Sequence, residues 1–202
     1  MLYTKKGDNG TTKLFDCPRG VRMSKASLVF ETLGTIDELN SSIGYAKTLC
    51  KKYNLTLGTK NGRALYGEIL EIFQQNLFCI QAELGGSEVC ISEKQILFLE
   101  EVIYEVETLL LPLKSFIIPG GGEAGAYLDV ARTIARRAER ECVILREKKP
   151  ARNAYSIAVA GGERKISSAS LTFLNRLSSA LYALARFANY QEGYTEKNPD
   201  YK

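Results

Sequence analysis

Histidine is absent from the 202-residue sequence. That single gap removes Ser-His-Asp triads, histidine general bases and histidine-ligated metal sites together. Cysteine occurs five times, at Cys17, Cys50, Cys79, Cys90 and Cys142, an odd number with no CxxC pair. The spacing argues against a disulfide framework or a zinc site and fits free thiols in a reducing compartment. No GxxxxGK[ST] stretch is present, so no Walker A loop is encoded. No run approaches the roughly 18 to 20 apolar residues of a membrane span, and MLYTKKGDNG lacks an apolar signal core. A cytoplasmic protein with no membrane partner is expected.

What remains is ordinary in bulk, with 45% hydrophobic and 25% charged residues, the balance of a soluble globular domain. A formal charge of +4 is mild for the chain length, so charge has to be read locally. The first 27 residues carry Gly7, Gly10, Pro18 and Gly20 among polar residues and predict a loop, either ordered or mobile. From about Val29 apolar residues recur at spacings of three and four through Leu33, Ile36, Leu39, Ile43, Ala46 and Cys50, with Thr35 and Glu38 spaced for a capping box. A second such run follows Gly62 and stops at Gly85-Gly86, and a third starts after Ser92 as N-cap and ends before Pro112. A fourth runs from about Glu123 to Lys148, and a fifth from about Glu163 to Gln191. Each stripe needs a neighbour to cover it. The fold expected is therefore all-α, an antiparallel five-helix bundle of the ferritin-like kind, preceded by an N-terminal loop. No internal repeat divides it: residues 1–192 read as a single domain, comprising loop 1–27 and bundle 28–192, and 193–202 as a polar, frayed tail.

Four features carry chemistry. ARTIARRAER, residues 131–140, sets Arg132, Arg136 and Arg140 four apart on one helical stripe with alanines between, so planar guanidiniums could converge on phosphate or carboxylate. A solvated face balanced by Asp129, Glu139 and Glu141 is the plainer alternative for this stretch alone. Thr4 to Lys13 mixes lysines, hydroxyls and glycines that could wrap a polyphosphate, and a loose terminus is the alternative. Gly120-Gly121-Gly122-Glu123-Ala124-Gly125 satisfies GxGxxG literally. A long helix follows it and no alternating strands surround it, so a helix-start turn is expected rather than a dinucleotide site. Asp37, Glu38 and Asn40 in the first helix, like Asn175-Arg176 in the last, could face a cationic partner or simply water.

Taken together, TKKGDNGTT, LGTIDELNSSIG at 33–44, FIIPGGG at 116–122, ARTIARRAER and FLNRLSSALYALAR at 173–186 resemble the ATP:cob(I)alamin adenosyltransferases of the propanediol-utilisation type. The blocks run in that family's order over most of the chain. The resemblance implies a homotrimeric enzyme with sites between subunits. It would move the 5′-deoxyadenosyl group of ATP to the cobalt of cob(I)alamin, releasing triphosphate and giving adenosylcobalamin. The implied cofactors are ATP with Mg²⁺ and the corrinoid substrate, with no metal ligands assigned among side chains. A flavin-dependent reductase and a B12-dependent acceptor enzyme are the further partners implied, and nucleic acid is not among them. By the same resemblance Thr4, Lys5, Lys6, Gly7, Thr12, Lys13 and Lys25 would wrap the phosphates. Arg136, Arg137, Ala138, Glu139, Arg140 and Asn175 would complete the nucleotide site from a neighbouring subunit. Asp37 would pair with Arg132 across the boundary, and Phe116 would press on the lower face of the corrinoid, excluding its axial ligand and easing reduction of four-coordinate Co(II). A cob(I)alamin nucleophile needs no general base, so the missing histidine is no handicap.

Two positions depart from that family's pattern. Lys6 stands where a small hydroxyl or amide residue is usual in a TxTGD-like motif, and Ser179 where NRLSD commonly ends in aspartate. They motivate an alternative, a corrinoid-binding or delivery protein with weak turnover. A basic helical scaffold for nucleic acid is a second alternative, marked by steeply salt-dependent binding.

Overall fold

The computed structural model of the chain describes residues 3–59, 62–147 and 166–201. Among these it is mostly helical. Helix α1 spans Leu28–Lys52, α2 Tyr66–Leu84, α3 Glu93–Leu109, α4 Glu123–Glu147 and α5 Ser168–Gln191. The all-α expectation needs one correction, because two antiparallel two-stranded ladders accompany the helices. Strand β1, Thr11–Thr12, pairs with β2, Met23–Ser24, and β3, Thr56–Thr59, pairs with β4, Gly62–Leu65. The second ladder had a sequence signal in Asn61-Gly62, a dipeptide that favours tight hairpins. Its Leu57 is fully buried, so the ladder contributes to the core as well as linking two helices.

Helix ends follow local chemistry. Helix α1 starts after Ser27, with Glu31 in its first turn and Lys51 and Lys52 in its last, charges of the sign each end of the dipole favours. Thr35 is buried inside this helix rather than capping it, which corrects the capping-box expectation. Ser92 precedes α3 as expected, and Gln95 reaches back to accept from the Ser92 amide at 2.7 Å. Ser167 caps α5 by accepting from the Ser170 amide at 3.1 Å. The anticipated boundaries at Lys148 and Glu163 lie outside the described residues.

Helix α4 packs against both α1 and α5, α1 also against α2, and α5 also against α3. The inner face of α4 consists of Ala124, Leu128, Ala131, Ala135, Ala138 and Cys142, all at 0% exposure. Such short side chains let neighbouring backbones approach closely, and they force the intervening arginines outward. Opposite them lie Ile36, Leu39 and Ile43 from α1 and Phe173, Leu177 and Leu181 from α5, fully buried.

The literal GxGxxG proves to be a packing cradle. Asn189 of α5 accepts from the Gly122 amide at 3.0 Å and donates to the Gly120 carbonyl at 2.7 Å. Gly120 and Gly121 take φ of 131° and 115°, values that disfavour any side chain. A methyl group on Gly125 would fall on Asn189 Oδ1. The glycines thus serve a close helix approach, as expected of a helix-start turn. Gly125→Ala should cost about 1–3 kcal/mol through overpacking, read as a lower urea midpoint with unchanged slope. An unmoved midpoint would contradict the cradle.

Candidate functional site

Four-residue spacing on α4 places Arg132, Arg136 and Arg140 along one slanting stripe, as the sequence implied, but their surroundings differ. Arg132 Nε donates to Asp129 Oδ1 at 2.9 Å, and its guanidinium carbon lies 5.5 Å from the centre of the Tyr182 ring. Asp129 is only 7% exposed, so its carboxylate depends on that cation for compensation. Arg137 turns away to pair with Glu38 of α1. Arg140 Nη1 donates to the Arg136 carbonyl at 3.1 Å. The Arg136 guanidinium is exposed and makes no hydrogen bond or ion pair among the described residues.

Arg136 also borders two cavities. One, of about 610 Å³, is walled by Asp129, Arg132, Tyr182 and Ser179 on the helices and by the 113–120 loop, which presents Phe116. The other, of about 400 Å³, is lined by Glu139, Arg140, Val143, Ile144 and Asn175. Asn175 Nδ2 donates to Glu139 Oε1 at 2.9 Å, while its Oδ1 accepts from Arg176, which is held by Glu100. An exposed guanidinium shared by two cavities, one lined by Glu139, Arg140 and Asn175 and the other by Tyr182 and the Phe116 loop, is suited to an anion that is attached to a bulkier, flatter group.

The N-terminal segment is an ordered loop among the described residues. Asp8 N donates to the Lys5 carbonyl and Gly10 N to the Gly7 carbonyl, giving two successive turns, with Lys5 at a φ of 60° and Gly10 at 74°. Arg22 clamps them, with Nη2 donating to the Lys6 and Thr11 carbonyls at 2.7 Å each and Nε to Thr11 Oγ1 at 2.8 Å. Lys25 Nζ donates to the Gly7 carbonyl at 3.0 Å, and a side chain at residue 7 would crowd it. Thr4, Lys5, Lys6 and Lys13 are exposed, and Thr12 is half-buried in β1. A loop whose carbonyls are already engaged and whose Lys5, Lys6 and Lys13 are exposed presents positive charge, a pattern that favours anions.

The sequence candidates therefore fall into groups. Arg136, Glu139, Arg140 and Asn175 meet around one cavity, and Arg132, Arg136 and Phe116 around the other. Thr4 to Lys13 and Lys25 meet in the loop, and no hydrogen bond or ion pair joins these loop residues to the α4 stripe within the described chain. Ala138 is buried, so its contribution is the thinness of α4 rather than a polar contact. Asp37 is exposed on α1, while the in-chain partner of Arg132 is Asp129. Sequence reasoning missed Arg22, Tyr182 and Asn189, and named Asp129 only as part of a solvated face balancing the arginines. Only Asp129 had a usable signal, its i, i+3 spacing to Arg132. Among the described residues no three His, Cys, Asp or Glu side chains cluster as a metal site, and no helix is long and apolar enough to cross a membrane.

The chain is similar to known proteins over most of its length. A sequence profile of the cobalamin adenosyltransferase family matches residues 2–188. The corrinoid adenosyltransferase PduO of Salmonella typhimurium is 38% identical over 192 residues, covering 92% of this chain and 48% of that protein. The corrinoid adenosyltransferase of Bacillus subtilis is 36% identical over 196 residues, covering 95% of this chain and 88% of that one. This chain thus spans about half the length of the PduO relative and most of the Bacillus one. In three dimensions it is similar to a variant PduO-type ATP:corrinoid adenosyltransferase from Lactobacillus reuteri complexed with cobalamin and ATP, at a TM-score of 0.79 and 31% identity, covering 100% of this chain and 97% of that one.

The Arg22 clamp has a direct test. Arg22→Ala should raise the rate of tryptic cleavage at Lys5, Lys6 and Lys13 by about tenfold or more, because local opening governs proteolysis, while the melting temperature of the helices stays within about 2 °C. Unchanged cleavage would show that the loop does not depend on Arg22.

Proposed function

This chain belongs to the cobalamin adenosyltransferase family, and we propose on that premise that it moves the 5′-deoxyadenosyl group of ATP to the cobalt of cob(I)alamin, giving adenosylcobalamin and triphosphate. The observation that carries the reading is the Arg136 guanidinium, exposed, unpaired among the described residues and shared by two cavities. On this reading Arg136, Glu139, Arg140 and Asn175 hold the nucleotide, with Arg137 set in place by Glu38. The larger cavity receives the corrinoid, with Phe116 pressed against its lower face.

The substrates fit the residues present. Cobalt attacks C5′ as the C5′–O bond breaks and the electron pair leaves on triphosphate, so no proton has to be removed from the nucleophile. The chain's task is to hold C5′ in line and to neutralise the leaving group, which guanidiniums and ammonium groups can do without histidine. Mg²⁺ would be carried by the phosphates, since no carboxylate cluster among the described residues offers it a cage.

The loop residues Thr4, Lys5, Lys6, Gly7, Thr12, Lys13 and Lys25 complete the site from a neighbouring copy. Their separation from the α4 stripe within one chain supports a site shared between subunits of a homotrimer. Asp37, exposed and without a cation partner among the described residues, would meet Arg132 of that neighbour and share it with Asp129. Residues 1–192 form one domain, the five helices an antiparallel bundle, and the enzyme works in the cytoplasm with a flavin-dependent reductase and a B12-dependent acceptor. Against a nucleic-acid scaffold stands the pairing of Arg132, Arg137, Arg176 and Arg186 with carboxylates, which takes these four guanidiniums out of a continuous basic surface.

Anaerobic mixing with cob(I)alamin and ATP should consume the Co(I) spectrum and release triphosphate. A folded oligomer that does neither would refute the assignment, and corrinoid binding without triphosphate release would point to a delivery protein. Arg136→Ala should lower kcat/KM by about 10²–10³-fold, the usual loss for a transition-state donor, with the melting temperature unchanged. Retained activity would remove Arg136 from the site.

A further inference from the structure

The C-terminal segment after α5, expected to fray, is instead tied to the loop that carries Phe116. Gly193 takes a φ of 77° and Tyr194 N donates back to the Asn189 carbonyl at 2.8 Å, so the chain reverses out of the helix. It then runs behind the 113–120 loop. Ile118 N donates to the Lys197 carbonyl at 2.8 Å, and Asn198 Nδ2 donates to the Phe116 carbonyl at 2.8 Å. Glu196 fixes the Arg186 guanidinium at 2.6 and 2.9 Å, and that guanidinium reaches the Leu111 carbonyl at 3.3 Å.

The loop has little else to hold it. Leu111 is 86% exposed and Phe116 78%, so neither anchors it by burial. Beyond a neighbouring Ser115 hydroxyl, the hydrogen-bond anchors of residues 111–120 among the described residues that do not come from the tail are Arg186 at Leu111 and Asn189 at Gly120, one at each end of the loop. The front of the loop borders the 610 Å³ cavity, and its back is lined by Tyr194 to Lys197.

We propose that residues 196–198 position the Phe116 loop, with Asn198 as the residue that fixes the Phe116 backbone and Glu196 acting through Arg186. This rests on the proposed role of Phe116 at the corrinoid. An exposed aromatic can exclude a ligand only if its backbone is held, and displacements of about 1 Å at a reacting site can lower rates by about 100-fold. No described tail residue lines the Glu139, Arg140 and Asn175 cavity, whereas Glu196 lines the larger one, so the tail's influence falls on the corrinoid side.

Asn198→Asp keeps the shape but removes the donor and sets a carboxylate against the Phe116 carbonyl. It should lower kcat by about tenfold or more, leave the KM for ATP within about twofold, and leave the melting temperature unmoved. Asn198→Gln, which keeps the donor, should recover most of the loss, and Glu196→Gln should act in the same direction as Asn198→Asp. A second readout needs no turnover, because the chain has no tryptophan. Phe116→Trp supplies a single reporter whose fluorescence anisotropy should fall when Asn198→Asp is added. Wild-type kcat together with unchanged anisotropy in the Asn198→Asp chains would overturn the proposal. If the wild-type chain transfers no adenosyl group yet the anisotropy still falls, the positioning stands and the enzymatic reading fails.

Discussion

The site depends on how thin α4 is on one side. Ala124, Ala131, Ala135 and Ala138 are fully buried and let α1 and α5 close on the helix from both flanks. With that face filled by methyl groups, the guanidiniums can only face outward, where charge is hydrated at little cost. One helix thereby serves as part of the core and as the charged wall of two cavities. The glycine cradle around Asn189 serves the same approach at the start of α4, where no side chain would fit.

Different arginines of the stripe then have different neighbours and different uses. Arg132 compensates a buried carboxylate and lies against an aromatic ring, Arg137 pairs with a surface glutamate, and Arg140 leans on the backbone. Among the described residues the Arg136 guanidinium alone of these four lacks a partner, and it lines both cavities. Pairing the flanking cations while leaving the central one free is an arrangement pre-set for an anion, because binding needs no existing contact to be broken first.

Much of this was legible in sequence. Apolar residues at spacings of three and four located five helices, and ARTIARRAER gave the stripe its register. The two ladders were missed because each is too short for an alternating pattern, although Asn61-Gly62 marked one. The ordered tail was missed for another reason: Glu196, Lys197 and Asn198 read as solvent residues, and the partners that hold them, Arg186, Ile118 and Phe116, lie 10 to about 80 positions away. Local composition carries no trace of such pairings. Likewise Arg22 looked like one more surface cation, and only the fold shows it spanning the turns of the N-terminal loop. Family membership was readable from the five ordered blocks, while the roles of single residues needed the cavities.

The claim that organises the account is that the nucleotide is held between the α4 stripe of one copy and the N-terminal loop of another. A crystal structure with a non-transferable ATP analogue and Mg²⁺ tests it most directly. Phosphate oxygens within hydrogen-bond distance of Arg136 or Arg140 from one chain, and of Lys5, Lys6 or Lys25 from its neighbour, are the predicted result. A nucleotide bound wholly within one chain, or away from Arg136, would contradict it.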